Sequence, residues 1–147
     1  MNTLMRFDQW LAALCIWREA RGACQQAWNA IWWVINNRSQ DPQRRWPRTV
    51  VGVIEQHAQF SSMMNLGDAN LVAWPVEPTP PQNPGADWVA FQGICESVVT
   101  VPPIGTDPTG GAVYYESYPA PPDATKMPWF DPEKLTITIG RIRFYRG

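Results

Sequence analysis

Apolar residues recur three and four positions apart in the first part of the chain and crowd into short β-branched and aromatic runs in the last third. The chain therefore changes structural character along its length. Between Phe7 and Arg21, the positions Phe7, Trp10, Leu11, Leu14 and Cys15 fall on one helical face and Gly22 supplies a stop, which predicts a first helix. A second helix is predicted from Gln25 to Arg38, with Ala27, Ala30, Ile31 and Val34 on one side and Trp28 and Trp32 on another. So little of its surface is polar that it should be the buried central helix. Asp41-Pro42 breaks the pattern, and Pro47 stands where a first-turn proline belongs, ahead of a short third helix through Thr49 to Glu55. Five prolines among the eleven residues Trp74 to Pro84 exclude both helix and central strand, leaving a long surface connection. Helical spacing returns from Asp87 to Val99 through Val89, Ala90, Ile94 and Val98, and Pro102-Pro103 ends it.

Three runs in the last third read as strands: Ala112 to Tyr115, Leu135 to Ile139 and Ile142 to Tyr145, the last two separated by the hairpin-like interval Gly140-Arg141. The expected fold class is α+β, a mostly helical domain with a small antiparallel sheet in the C-terminal third. At 147 residues the chain suits one domain, residues 1–147, which buries roughly two thirds of its unfolded surface. There is no internal repeat, and the basic stretch Arg44-Arg45-Trp46-Pro47-Arg48 reads as a solvated loop.

Composition narrows the function classes. A formal charge of −1 with 17% charged residues excludes a strongly basic nucleic-acid binder and a disordered chain. Fifteen prolines and nine tryptophans imply stiff loops and abundant aromatic surface. Trp10, Trp28, Trp32 and Trp33 lie on helical apolar faces and are expected in the core, whereas Trp74 and Trp129, in proline-rich segments, suit the lining of a groove. Cys15, Cys24 and Cys95 match no metal or redox spacing and are expected to be reduced and structural. His57 is the only histidine and has no ligand cluster around it, so neither metal nor cofactor is expected. No apolar signal core or membrane span precedes the first helix, which leads to the expectation of a chain made in the cytoplasm.

The segment Trp17-Arg18-Glu19-Ala20-Arg21-Gly22 puts a carboxylate at the end of the first helix, four residues after Cys15 and so near its buried face. A carboxyl group in a partly apolar cleft is poorly solvated as an anion, which keeps it protonated closer to neutral pH and able to donate to a leaving oxygen. Taken from spacing alone, a solvated residue or an ion pair with Arg18 or Arg21 is the better account of Glu19, because most glutamates lie on the surface.

A set of motifs in order changes that balance. Glu19-Ala20-Arg21-Gly22, followed by a helix ending Asn37-Arg38, resembles the spore-cortex-lytic family of cell-wall hydrolases. Val53 to Ser61 is similar to that family's short helix leading into a Gln-Phe-Ser turn, and Asp107 to Tyr115 resembles its Gly-Ala-aromatic strand. Pro128-Trp129-Phe130, Thr138-Ile139-Gly140 and Phe144-Tyr145 resemble its C-terminal segment. The resemblance spans Trp10 to Tyr145 and implies a lysozyme-like catalytic domain related to goose-type lysozymes and lytic transglycosylases. Its substrate would be the peptidoglycan glycan strand, cut between N-acetylmuramic acid and N-acetylglucosamine. Glu19 matches the catalytic glutamate, which would protonate the glycosidic oxygen and then, as a carboxylate, take the proton of the muramoyl C6 hydroxyl, closing a 1,6-anhydro ring. Gln59 and Ser61 offer an amide and a hydroxyl suited to sugar hydroxyls and acetamido groups. Tyr114 and Tyr115 alternate across a strand, so one enters the core and the other, by family position Tyr115, faces the cleft. Trp129 completes the expected substrate contacts. Asn37 and Arg38 read as helix-closing residues.

The chain departs from the family pattern at Ala23, Ala58, Ile142 and Glu116. Ile142 stands where a histidine is common, and Glu116 follows the tyrosine pair where a neutral residue is usual. Glu116 is therefore a candidate second carboxylate, which would turn the site towards a hydrolytic muramidase, with Glu55 as another assistant. A non-catalytic wall-binding or virion structural protein is the alternative from another class. The absence of an export signal suggests a phage-encoded endolysin that reaches the wall through a holin-type pore, or a lysin carried on a virion.

Overall fold

The computed structural model describes residues 6–56, 75–78, 85–117 and 127–147. Within them the chain forms α1 (Phe7–Ala20), α2 (Gln25–Ser39), α3 (Val50–Glu55), α4 (Ala86–Ser97), β1 (Tyr114–Ser117), a 3-10 turn (Pro132–Lys134), β2 (Leu135–Ile139) and β3 (Ile142–Tyr145). The fold is α+β, helices first and sheet last.

The apolar faces seen in the sequence meet in one core. α1 contributes Leu11, Leu14, Cys15, Ile16 and Trp17, and α2 contributes Ala27, Ala30, Ile31, Trp32, Val34 and Ile35. α2 is not alone at the centre as its composition suggested: α1 and α2 pack on each other, and each also packs on α3 and α4. Of the four helical tryptophans assigned to the core, Trp32 is fully buried, while Trp10, Trp28 and Trp33 are half-buried with one edge in water. Trp32 donates Nε1–H to Thr100 O at 3.1 Å, and Trp28 donates to Ala20 O at 2.7 Å, so both indoles have their one donor satisfied within the protein.

α4 approaches α2 closely at Gly93. A Cβ added there would lie 2.9 Å from Cζ3 of Trp28, whose ring is held by its bond to Ala20. Gly93→Ala should therefore destabilise the fold although alanine favours helix by about 1 kcal/mol. The overpacking costs about 1–3 kcal/mol, and a melting temperature equal to or above wild type would contradict the contact.

α3 starts one step later than the proline suggested. Thr49 is its N-cap, accepting Gly52 N–H at 3.0 Å, and Pro47 stands outside the helix. The hydroxyl satisfies an orphan amide that proline cannot address.

The sheet has the order β1-β3-β2, antiparallel throughout. Its registers pair Tyr114 with Tyr145, Tyr115 with Phe144, Glu116 with Arg143 and Ser117 with Ile142. Directly opposed residues share a face. Tyr115, Ser117, Ile142 and Phe144 thus form the face turned to the helices, and Phe144 and Ile142 are buried. Tyr114, Glu116, Arg143 and Tyr145 form the other. β1 begins at Tyr114, two residues beyond the expected start at Ala112. Val113 N–H still reaches Tyr145 O of β3 at 3.0 Å, but the other polar groups of that segment are engaged away from the sheet: Ala112 N–H bonds Thr109 Oγ1, Ala112 O accepts from Asn37 and Val113 O accepts from Arg38.

Candidate active site

Glu19 occupies the last turn of α1, half-buried, where three ties hold the backbone that carries it. Ala20 O accepts from Ala23 N at 2.9 Å and from Trp28 Nε1 at 2.7 Å, linking the residue after Glu19 to the start of α2. Trp17 donates Nε1–H to Asp87 O at 2.8 Å, joining the same turn to α4. The Arg21 guanidinium lies 4.4 Å above the Trp17 ring and 3.7 Å from Asp87. Arg21 thus pairs with Asp87 of α4.

Glu19 lines a pocket of about 440 Å³ between the α1–α2 turn and the β2–β3 hairpin, with Gly22, Cys24, Ser117, Ile139, Arg141 and Ile142 among its walls. Apart from Glu19 the lining holds no carboxylate among the described residues. Tyr115 approaches from β1. Burial pushes its phenol well above the ordinary tyrosine range, and the negative charge of Glu19 raises it further, so the hydroxyl keeps its proton. It can act there as a hydrogen-bond donor. Cys24, the N-cap of α2, is an exposed free thiol, whereas Cys15 and Cys95 are buried free thiols.

Glu116 does not join this pocket. Alternation along β1 turns it to the opposite face, where its Oε1 accepts the Tyr145 hydroxyl at 2.5 Å and lies 3.8 Å from Arg143. The second carboxylate expected in the cleft is thereby directed away from Glu19. Glu55, the other assistant considered, ends α3 as an exposed residue. Tyr114 and Trp129 also lie on the outer face, stacked with ring centroids 4.9 Å apart and planes 7° from parallel. Tyr145, Phe130 and Trp46 extend that cluster. Tyr115 alone of the tyrosine pair is brought beside Glu19. Gln59, Ser61, His57 and Trp74 lie outside the described residues. Among the described residues no group of three or more His, Cys, Asp or Glu gathers at metal-binding distance, and no helix is long and apolar enough to cross a membrane.

Asn37 and Arg38 do more than close α2. Asn37 donates to Asp107 Oδ2 at 2.8 Å and to Ala112 O at 3.0 Å. Arg38 is buried and donates Nε–H to Val113 O at 2.7 Å, its guanidinium 5.3 Å from the Trp46 ring and 5.9 Å from that of Tyr114. Burial lowers the Arg38 pKa from the usual arginine value, opposed by the charges of Tyr115, Tyr114, Cys15 and Glu19. Helix-end chemistry hid these two residues because both are also ordinary C-terminal closers. Ser117 and Arg141 were missed as well: one follows the expected end of β1, and the other was read only as a turn residue.

The comparisons with known proteins fit this arrangement. The sequence matches the family described as Cell Wall Hydrolase over residues 22–145. The chain belongs to this family. It is therefore one of the enzymes that degrade the peptidoglycan wall. The matched span opens at Gly22, immediately beyond Glu19-Ala20-Arg21. No curated protein matches the chain. Two solved structures share its fold. The catalytic domain of the Bacillus cereus SleB protein is 24% identical with a TM-score of 0.61, covering 99% of this chain and 94% of its own. The catalytic domain of the germination-specific lytic transglycosylase SleB from Bacillus anthracis is 23% identical with a TM-score of 0.61, covering 99% of both chains.

The basic stretch after α2 is more ordered than a solvated loop. Asp41 is buried and receives Arg45 Nε at 2.8 Å, Arg45 Nη2 at 3.0 Å and Arg45 N at 3.0 Å. These bonds hold its carboxyl down to about 2, from 3.8. A depressed folded-state value means the stabilisation is present above the unfolded pKa and lost as pH falls from about 4 through about 2. The shift corresponds to about 2 kcal/mol. Acid titration of stability should show that loss, and Asp41→Asn should remove the pH dependence over this window; an unchanged profile would contradict the pairing.

Proposed function

We propose that the enzyme is a lytic transglycosylase that cuts the glycan strand between N-acetylmuramic acid and N-acetylglucosamine, with Glu19 as its single acid and base. The observation that carries the reading is the pocket in which Glu19 is the one carboxylate among the described residues, with a protonated tyrosine beside it. In the first step the Glu19 carboxyl group gives its proton to the glycosidic oxygen as the muramoyl C1–O bond breaks. The resulting carboxylate then takes the proton of the muramoyl C6 hydroxyl while O6 bonds to C1, closing the 1,6-anhydro ring. Proton and electron pairs balance without water, so no second carboxylate is needed.

Tyr115, kept neutral, is assigned as a donor to the acetamido oxygen next to the reacting carbon. Gln59 and Ser61 are assigned to other sugar hydroxyls and acetamido groups on the resemblance alone. The likeness to a protein described as a germination-specific lytic transglycosylase supports the reading. A hydrolytic muramidase would need a second carboxylate either about 5–5.5 Å or about 6.5–9.5 Å from the first, and the orientation of Glu116 disfavours it.

Mass spectrometry of muropeptides released from purified peptidoglycan tests the assignment. Anhydromuramic ends are expected. Reducing muramic ends would replace the proposal by hydrolysis, and no products at all would favour a binding protein.

A further inference from the structure

Among the described residues, the pocket beside Glu19 contains one cation, Arg141. It stands on the two-residue turn of the β2–β3 hairpin, whose first residue, Gly140, has φ +58°. A glycine at that position suits the tight turns that follow strand twist. The turn lies close to the start of α2: a Cβ on Gly140 would be 3.6 Å from Cys24 Sγ. The arginine is therefore presented beside the α1–α2 turn that carries Glu19. Three other arginines of the chain are engaged in ion pairs: Arg21 with Asp87, Arg45 with Asp41 and, on the opposite face of the sheet, Arg143 with Glu116. Arg141 is exposed and, among the described residues, has neither ion-pair nor hydrogen-bond partner. The rest of the pocket wall is small or apolar, Ala20, Gly22, Ala23, Ala27, Ile139 and Ile142 among it. A guanidinium can donate to neutral sugar hydroxyls, but its planar fork and its charge match a carboxylate best, bidentately.

We propose that Arg141 is a specificity-determining residue that pairs with a carboxylate carried on the lactyl-peptide substituent of the muramoyl unit. The inference rests on the lytic transglycosylase reading of the same pocket, since Glu19 must act on the muramoyl residue for its substituent to reach the hairpin. The carboxylate has two sources: the acids of the stem peptide, or the lactyl acid itself once the peptide is removed. Arg141 binds either through the same two N–H groups.

The experiment uses three forms of one peptidoglycan: native strands, strands whose carboxylates have been converted to amides, and strands freed of peptide by an amidase, which retain the lactyl acid. Wild type should cleave native strands with a kcat/KM about fivefold above the amidated ones, equal to about 1 kcal/mol and the upper end for an exposed ion pair. In Arg141→Gln the ratio should fall to near one, mainly through KM, Arg141→Lys should keep part of it, and Arg141→Glu should invert it. Added salt should weaken the wild-type preference. Preference for peptide-free over amidated strands, lost in Arg141→Gln, would assign the lactyl acid; a preference confined to native strands would assign the peptide. A wild-type ratio near one, or a ratio unchanged in Arg141→Gln, overturns the inference while cleavage with anhydro ends leaves the functional reading standing. Failure of wild type to cleave any of the three removes both.

Discussion

Glu19→Gln should lower turnover on peptidoglycan by more than the roughly 10²–10⁴-fold credited to a general acid or base. Two proton transfers pass through the one side chain in the proposed reaction, and a glutamine can perform neither. The substitution is nearly isosteric at a half-buried position, and the ties that hold this turn run through the backbone of Ala20 and the side chains of Trp17, Arg21 and Trp28. Circular dichroism and melting temperature should therefore match wild type. Glu116→Gln is the control. It removes a carboxylate only one residue from Tyr115 but on the other face of β1, and the amide can still accept from the Tyr145 hydroxyl. Its turnover should stay within about twofold of wild type, because it makes no interaction in the transition state. Tyr115→Phe should fall between the two, since it loses one donor and no proton transfer. A folded Glu19→Gln enzyme with near-normal activity would sink the assignment of the acid. Equal losses in the Glu19 and Glu116 variants would restore the two-carboxylate mechanism.

The helices were legible because each signal was local. Apolar spacing placed α1 and α2 within a residue of their ends, and the β-branched run at Leu135 placed β2 from end to end. The hairpin followed from Gly140, whose left-handed φ few other residues adopt. Glu19 was legible as a carboxylate near a buried face and as part of a motif. What the sequence could not carry was the orientation of side chains between elements. Tyr114, Tyr115 and Glu116 are adjacent in the chain, yet strand alternation sends the first and third away from the pocket, and choosing the face requires knowing where β3 pairs. Trp129 looked like a groove residue because it follows proline, but its ring stacks on Tyr114 across more than a dozen residues of sequence. Arg38 and Asn37 were hidden for the opposite reason. A local role explained them fully, so nothing in the chain signalled that their side chains reach Val113, Ala112 and Asp107. Sequence distance is the common cause, since each missed contact joins segments well apart in the chain, from 15 residues for Tyr114 and Trp129 to 75 for Arg38 and Val113.

The reach of Arg38 supports the second large effect. Arg38→Leu should destabilise the fold by about 3 kcal/mol, the sum expected from one charge-assisted hydrogen bond at about 1.5–3 kcal/mol and a partly desolvated cation–π contact at about 0.5–2 kcal/mol. An opposing effect has to be weighed, because leucine relieves the burial of a charge and whole buried ion pairs are sometimes replaced by apolar side chains without loss. That relief requires the partners to be replaced too. Here Val113 O would stay in place, buried and without its Nε–H donor, and the shorter leucine would leave space against Trp46. Destabilisation therefore wins, and the melting temperature should fall by roughly 6–12 °C. Arg38→Lys should recover less than half of it, because an ammonium cannot place a donor at the Nε position and stack a planar group at once. The same bond fixes β1 two residues before Tyr115, so Arg38→Lys should also lower activity at temperatures where it is fully folded, and by more than Glu116→Gln does. Thermal unfolding followed by circular dichroism decides the first point. A leucine variant that melts within about a degree of wild type would mean that the carbonyl finds another donor and that Arg38 does not anchor the strand carrying Tyr115.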